Sequence, residues 1–385
     1  MIKKEIAEIK RLFTPANCSV SRICGCYVDG EKNKKAEFQE AFLSLPEEDM
    51  FKYFEILRKS LSGGLGKNLL NLDFPLDMEM EGGPQEFLLK LRNSELKDDE
   101  LLDQFYQRII DTYEHVGNYL ILIIYDAYDV PGKASDGLTM DDASDDIYRY
   151  ILCSICPVDL SKPALSYNEL ESTFQNRIRD WIVNMPEVGF LFPAFNDRAT
   201  DLHSTLYYSK NANDLHDSFI EQLLGCPLPL PAESQKETFQ AIIEETLGED
   251  CDMELVRTIH ETLNELIEEH KDEPEPLMLD KYQVKTILEN SGVPDEKLED
   301  FDKTFDETAG EKTALVINNV ASTKAFEVKT PDVIIKVNPE RAGLIETKEI
   351  NGRQCLVIDI DGSVEVNGIM INSAAHAAEE TKTAD

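Results

Sequence analysis

Basic residues are scarce in this sequence. Its 385 residues carry 38 Lys and Arg against 75 Asp and Glu, a formal net charge of −37. Such an excess excludes a protein that coats nucleic acid or anionic lipid over its whole surface. Long apolar runs are missing as well. The longest, Tyr119-Leu-Ile-Leu-Ile-Ile-Tyr125, falls far short of the roughly 18 residues needed to cross a bilayer. The opening MIKKEIAEIKRLF interleaves charges with isoleucines and has no signal-peptide core. A cytoplasmic protein with no membrane contact is therefore expected, and its eight cysteines read as reduced thiols rather than a disulfide framework. Histidine is rare, at six residues; no two form HExxH and no serine stands in GxSxG, so the familiar hydrolase signatures are absent.

What is present is an ordinary globular composition, 42% hydrophobic and 8% aromatic, in a length that suits two or three domains. The charge is uneven. Residues 1–70 hold 12 basic and 10 acidic side chains, whereas 71–150 hold 6 and 19, and 233–280 hold 3 and 16. Any anionic partner is expected to meet the first seventy residues.

Apolar spacing sketches the architecture. Ile2, Ile6, Ile9 and Phe13 mark a helix stopped by Thr14-Pro15, and residues 20–28 read as a strand entering a turn at Asp29-Gly30. Ser44-Leu-Pro-Glu47 reads as a capping box opening a helix with Phe51, Phe54, Leu57 and Leu61 on one face. Leu101, Phe105, Ile109 and Tyr113 mark another helix. Strands are expected at 118–126, 147–156, 188–195 and 202–209, with an acidic loop over 127–146 and a helix over 214–224.

The fold class is thus α+β: a mostly antiparallel sheet with helices in the N-terminal part, an acidic helical connector, and a small C-terminal α+β module with a β-meander. The boundaries are 1–226, possibly divisible into 1–78 and 79–226; a proline linker and acidic helices over 227–276; the module at 277–372; and a tail at 373–385. The linker is Cys226-Pro-Leu-Pro-Leu-Pro231, and Ser234-Gln-Lys-Glu237 reads as a second capping box. Asn351-Gly352 and Asp361-Gly362 are the turn signals of the meander.

Several motifs yield to plain readings. Ser62-Gly-Gly-Leu-Gly-Lys67-Asn68 lacks the first glycine and the final Ser or Thr of a phosphate loop. Cys153-Ser-Ile-Cys156 has CxxC spacing but sits in a strand and lacks partners of zinc-site spacing, so buried structural cysteines are expected. Asp141, Asp142, Asp145 and Asp146 read as a solvated acidic loop. Residues 190–198, Phe-Leu-Phe-Pro-Ala-Phe-Asn-Asp-Arg, run from an apolar strand into a polar tip. The remaining positive signal is a set of basic residues, Lys3, Lys4, Lys10 and Arg11 with Lys32, Lys34, Lys35, Lys52, Arg58, Lys59 and Lys67. If they converge, they supply the cluster that phosphate contact requires. The last seven are the candidate nucleic-acid-binding residues.

At Ile23-Cys-Gly-Cys-Tyr-Val-Asp-Gly-Glu-Lys32 and Gly189-Phe-Leu-Phe-Pro-Ala-Phe-Asn-Asp-Arg198 the chain closely resembles a bacterial conserved family of unknown function, over nearly its whole length. The order of parts also resembles the NdpA-type nucleoid-associated proteins: a strand-bearing N-terminus, a middle sheet running into Asp214-Leu-His-Asp-Ser-Phe-Ile-Glu-Gln-Leu-Leu-Gly-Cys226, an acidic helical stretch, and a terminal hairpin module around Asn351-Gly352. That resemblance implies a non-enzymatic, DNA-associated, oligomeric protein.

The expected function is a non-enzymatic interaction protein with no cofactor or metal, associated with DNA or RNA through a basic N-terminal face and forming homo-oligomers. Two alternatives come from other classes. One is a metal-dependent hydrolase or nuclease using Asp126 and Asp129 at a strand end. The other is an acidic nucleic-acid mimic that binds a basic protein.

Overall fold

The computed structural model describes residues 1–133, 139–311, 313–360 and 362–371. It divides into two compact units, Met1–Gln235 with Glu273–Pro276, and Lys236–Asp272 with Leu277–Asp385.

The first unit is α+β, built on an eight-stranded antiparallel sheet. In chain order its elements are α1 (Lys3–Leu12), β1 (Val20–Val28), β2 (Lys34–Ala41), α2 (Glu47–Ser60), β3 (Leu69–Asp73), α3 (Pro84–Asn93), α4 (Asp99–Thr112), β4 (Asn118–Lys133) and β5 (Thr139–Leu160). Then come β6 (Leu165–Asn168), β7 (Thr173–Asn176), β8 (Trp181–Val183), β9 (Val188–Phe192), β10 (Ala194–Asn196), β11 (Ala199–Asp201) and β12 (Ser204–Ser209). The sheet order is β2-β1-β4-β5-β9-β12-β3, with β8 paired to β5.

Period-two alternation makes this sheet two-faced. Along β4, Ile121, Ile123 and Tyr125 enter one core with Leu88, Phe105 and Ile109 of α3 and α4. Leu122 and Ile124 enter a second core with Ile6 and Ile9 of α1 and Phe54 and Leu57 of α2. Helices therefore cover both faces. The same alternation separates Cys153 from Cys156: three apart on β5, they fall in different cores. Both thiols are buried and free, and burial raises their pKa values, so they pack as small apolar groups.

Several local expectations change. The acidic stretch 127–146 is mostly strand, because β4 and β5 continue past Asp126 as a hairpin from Tyr128↔Tyr148 to Lys133↔Thr139. The acidic group proposed there lies largely outside the described residues, since of its four side chains only that of Asp146 is described. Ser44 does not cap α2; its hydroxyl donates back to Ala41 O at 2.7 Å, and Pro46 occupies the cap position without a side-chain bond. Glu47, Glu48 and Asp49 in the first turn supply the negative charge that the helix start favours. The helix expected over 214–224 narrows to a π-helical turn, Phe219–Leu224, closed by Gly225 at φ +70°. Any side chain there would meet Pro84 Cγ at 2.7 Å.

The second unit has its own core. α5 (Ala232–Leu247), which starts in the first unit, and α6 (Met253–Glu269) bring Phe239, Ile242, Ile259 and Leu263 against Val284 and Ile287 of α7 (Lys281–Asn290) and Phe301 and Phe305 of α9 (Phe301–Thr308). The short α8 (Asp295–Leu298) adds Leu298. Asp252 caps α6 by accepting from Leu255 N at 2.8 Å, and Asp280 forms a capping box with Gln283 on α7. Downstream the chain meanders. β17 (Ile345–Ile350) and β18 (Arg353–Ile358) pair through Asn351-Gly352 as the sequence predicts, while β19 (Val364–Val366) takes β20 (Ile369–Ile371) as its partner. Ahead of these lie β13 (Met278–Leu279), β14 (Leu315–Val316), α10 (Ile317–Val320), β15 (Phe326–Lys329) and β16 (Ile334–Val337).

Candidate functional site

A groove of about 1230 Å³ runs beside α1, lined by Lys3, Lys4, Glu8 and Arg11 on one side and Tyr128, Asp129 and Arg198 on the other. Helical spacing explains the α1 side: positions 4, 8 and 11 share a stripe, while Ile6 and Ile9 turn into the core.

The opposite wall is the tip of the β10–β11 hairpin. Its two-residue turn, Asp197-Arg198, holds both residues in the left-handed region, at φ +53° and +58°. Two-residue hairpins require this backbone, and glycine or asparagine normally supplies it. Here a charged clamp holds it instead. The Arg198 guanidinium donates to both Glu8 carboxylate oxygens, at 3.0–3.3 Å, and to Pro131 O at 3.1 Å, while Arg198 N donates to Glu5 Oε1 at 3.3 Å. Tyr128 Oη donates to Glu8 at 2.9 Å. Glu5 is buried and also accepts from Ile2 N at 2.7 Å.

Beneath the groove lies an aromatic stack. Tyr148 sits 4.9 Å from Tyr150 and 4.6 Å from Phe195, and Phe195 meets the Tyr128 ring edge-on at 6.3 Å. Tyr148 Oη donates to Pro193 O at 2.6 Å, and Tyr150 Oη donates to Asp126 Oδ2 at 2.7 Å. Asp126 is fully buried and also accepts from its neighbour's amide, Ala127 N, at 2.8 Å. Burial raises its pKa against those bonds.

That raised value carries a pH prediction. A carboxyl whose folded pKa lies above its unfolded value of about 4 stabilises the fold fully below that value and loses the contribution as pH rises through the folded value. Asp126→Asn should therefore flatten the fall in Tm as pH rises above about 4, gaining on the wild type toward the alkaline end. A pH-independent difference in Tm between the two proteins would contradict the buried-carboxyl account.

The carboxylate pair suggested for metal chemistry is not formed. Asp126 and Asp129 are three apart on β4, in unbroken register with Tyr150 and Ile147, so they point to opposite faces; Asp126 is buried and Asp129 exposed. Among the described residues no three His, Cys, Asp or Glu side chains gather closely enough to hold a metal ion.

The seven candidate basic residues scatter rather than converge. Lys34 pairs with Asp103 of α4, on one face of the sheet, and with Glu37 at 3.6 Å; Lys35 pairs with Asp29 at 2.7 Å. Lys52 pairs with Asp49 at 3.0 Å on α2, over the other face. Arg58 is turned inward, its Nε donating to Phe13 O at 2.9 Å, where it closes the C-terminus of α1. Lys32, Lys59 and Lys67 have no ion-pair partner among the described residues; Lys32 lies in the β1–β2 turn and Lys67 in the loop after α2. A smaller cluster does form. Lys10 reaches Ser62 Oγ at 2.5 Å, and burial, then the charges of Arg58 and Lys59, lower its pKa.

A second cleft, about 330 Å³, contains Glu114, Asp214 and His216. Tyr113 stacks on His115 at 5.6 Å and donates to Glu187 at 3.4 Å, and burial lowers the His216 pKa. Neither imidazole is hydrogen-bonded to a Ser, Thr or Cys among the described residues, so no activated nucleophile is assembled there.

Glu8, Tyr128 and Arg198 were not among the sequence candidates. Of the three only Arg198 carries a sequence signal, the polar tip Asn196-Asp197-Arg198 directly after an apolar run. Among the described residues no helix is long and apolar enough to cross a membrane. A search of curated proteins finds no match to this chain. The family described as domain of unknown function DUF4317 matches residues 1–369, nearly the whole length, and the chain belongs to that family.

Proposed function

We propose that this protein is a non-enzymatic binding protein for a phosphate-bearing polyanion, with DNA or RNA as the first candidate, and that α1 makes the contact. The observation that supports this reading is the exposed trio Lys3, Lys4 and Arg11. All three line the same groove, and none has an ion-pair partner among the described residues. Arg198, across the groove, is held in place by Glu8. Lys10 and Lys59 extend the positive field from the same N-terminal segment, the one without an acidic excess. Lys34, Lys35 and Lys52 contribute less, because their own carboxylates already neutralise them.

The test is fluorescence anisotropy with a labelled oligonucleotide across a salt series. Three phosphate contacts correspond to a slope of about −2 to −3 in log K against log salt. The triple reversal Lys3→Glu, Lys4→Glu, Arg11→Glu should weaken binding at least tenfold at about 50 mM salt. Reversal of Lys34 and Lys35 should change it far less. Absence of binding at that salt, or equal losses from the two variants, would remove the basis for this reading.

A further inference from the structure

Between β5 and β9 the chain makes an excursion, 161–186, whose polarity is inverted. β6 and β7 pair only with each other, in the register Leu165↔Asn176, Ser166↔Gln175, Tyr167↔Phe174 and Asn168↔Thr173. Alternation puts Leu165, Tyr167 and Phe174 on one face of this ribbon and Ser166, Asn168, Thr173 and Gln175 on the other. The apolar face is bare: Leu165 and Phe174 are each 71% exposed and Tyr167 55%, and Thr173 and Gln175 on the polar face of β7 are exposed as well. Ser166 and Asn168 opposite are half-buried. Elsewhere in the same excursion Leu170, Ile178 and Trp181 are also 98%, 79% and 56% exposed. An isolated two-stranded ribbon is marginal in water, and an exposed apolar patch of this size marks a contact surface.

We propose that this arm is a self-association surface, covered by the same arm of a second copy of the chain in a two-fold contact. Area and charge both argue for that occupant. At roughly 150–250 Å² per large side chain, the exposed fractions of these six residues come to about 900 Å² per copy, against the roughly 800 Å² per partner of a standard interface. The arm is also electrically neutral within a chain of −37: Lys162, Arg177 and Arg179 balance Glu169, Glu171 and Asp180. Glu169 and Glu171 sit in the turn at its tip, and Arg177 at its base, where its amide donates to Ala164 O at 2.8 Å. None of these three side chains has an ion-pair partner among the described residues. Two arms laid antiparallel about a two-fold axis bring each acidic tip to the other's basic base, so the patch is complementary to itself.

Sedimentation velocity on the full chain at about 10 µM should give twice the 43.6-kDa chain mass. The triple variant Tyr167→Lys, Leu170→Lys, Phe174→Lys should sediment as a monomer, with association weakened at least tenfold and Tm close to wild type, since these side chains lie outside the unit's two cores. Trp181, the single tryptophan, reports independently: its emission should shift to the red on dilution of the wild type and stay unchanged on dilution of the variant. Glu169→Arg with Glu171→Arg should weaken association, and adding Arg177→Glu should recover it. The proposal is overturned by a wild type that is monomeric at this concentration, by a dimer that survives the triple variant, or by a monomer that instead sediments with phosphatidylcholine vesicles.

Discussion

Gly189→Val is expected to destabilise the first unit by about 3 kcal/mol, the upper part of the range for overpacking a close-packed interior. Gly189 lies on β9 opposite Ser154 of β5, where the C-terminal turn of α2 rests on the sheet. A Cβ there would stand 2.7 Å from Cys153 O, 3.0 Å from Ser60 Oγ and 3.1 Å from Ser60 Cβ. The first of these is a backbone carbonyl inside a sheet ladder, so it cannot yield as the end of a flexible side chain would. Relief at the carbonyl requires β9 and β5 to shift apart, and relief at Ser60 requires α2 to lift, which separates Ser60 Oγ from Ser154 Oγ, now 2.8 Å apart and buried, and disturbs Phe54 and Leu57 on the same helix. For a unit of this size the corresponding fall in Tm is about 6–12 °C. Gly189→Ala should show a smaller fall in the same direction. A valine variant that melts within about 2 °C of wild type would mean that α2 does not seat on β9 as described.

Tyr148→Ala is expected to cost about 4 kcal/mol, as for other buried aromatic truncations. Its ring is 1% exposed and lies between Tyr150 and Phe195. Truncation opens a cavity beneath the groove and leaves Pro193 O without its hydroxyl donor. Tyr148→Phe separates the two contributions: it keeps the stack and loses only the bond, for about 1 kcal/mol. Urea unfolding monitored by far-UV circular dichroism measures both, and equal losses from the two variants would show that the ring packing contributes little. The alanine variant should also weaken polyanion binding, because Phe195 supports Tyr128, and Tyr128 orients the Glu8 carboxylate that clamps Arg198.

The elements legible beforehand share one property, an apolar period strong enough to name its own face. α1, β1, α4 and the central strands fall where their isoleucines, leucines and aromatics indicate. The elements not foreseen lack it. β2 reads Lys-Lys-Ala-Glu-Phe-Gln-Glu-Ala, a polar edge strand held by backbone pairing to β1, and edge strands commonly carry charge that blocks further pairing. β3 and α3 have apolar residues, but in runs too short or too close to Pro and Gly to declare a period. Within the proline linker and acidic helices of 227–276, the apolar stripe of Lys236–Asp272 enters the core of the second unit.

The scarcity of basic residues, and their relative richness in the first seventy positions, is a matter of composition. The sequence by itself determines it, together with the antiparallel α+β class and the burial of Cys153 and Cys156, since each follows from residue types and local periods. Which cations remain free is a different kind of fact. Lys34 is neutralised by Asp103, 69 positions away, and Arg198 is held by Glu8, 190 positions away. Coulombic attraction and hydrogen bonding act over a few ångströms of space and take no account of chain distance. Only the tertiary structure could therefore pair Lys34 with Asp103, bring Lys3, Lys4 and Arg11 to a groove, and leave the apolar side of an arm facing water.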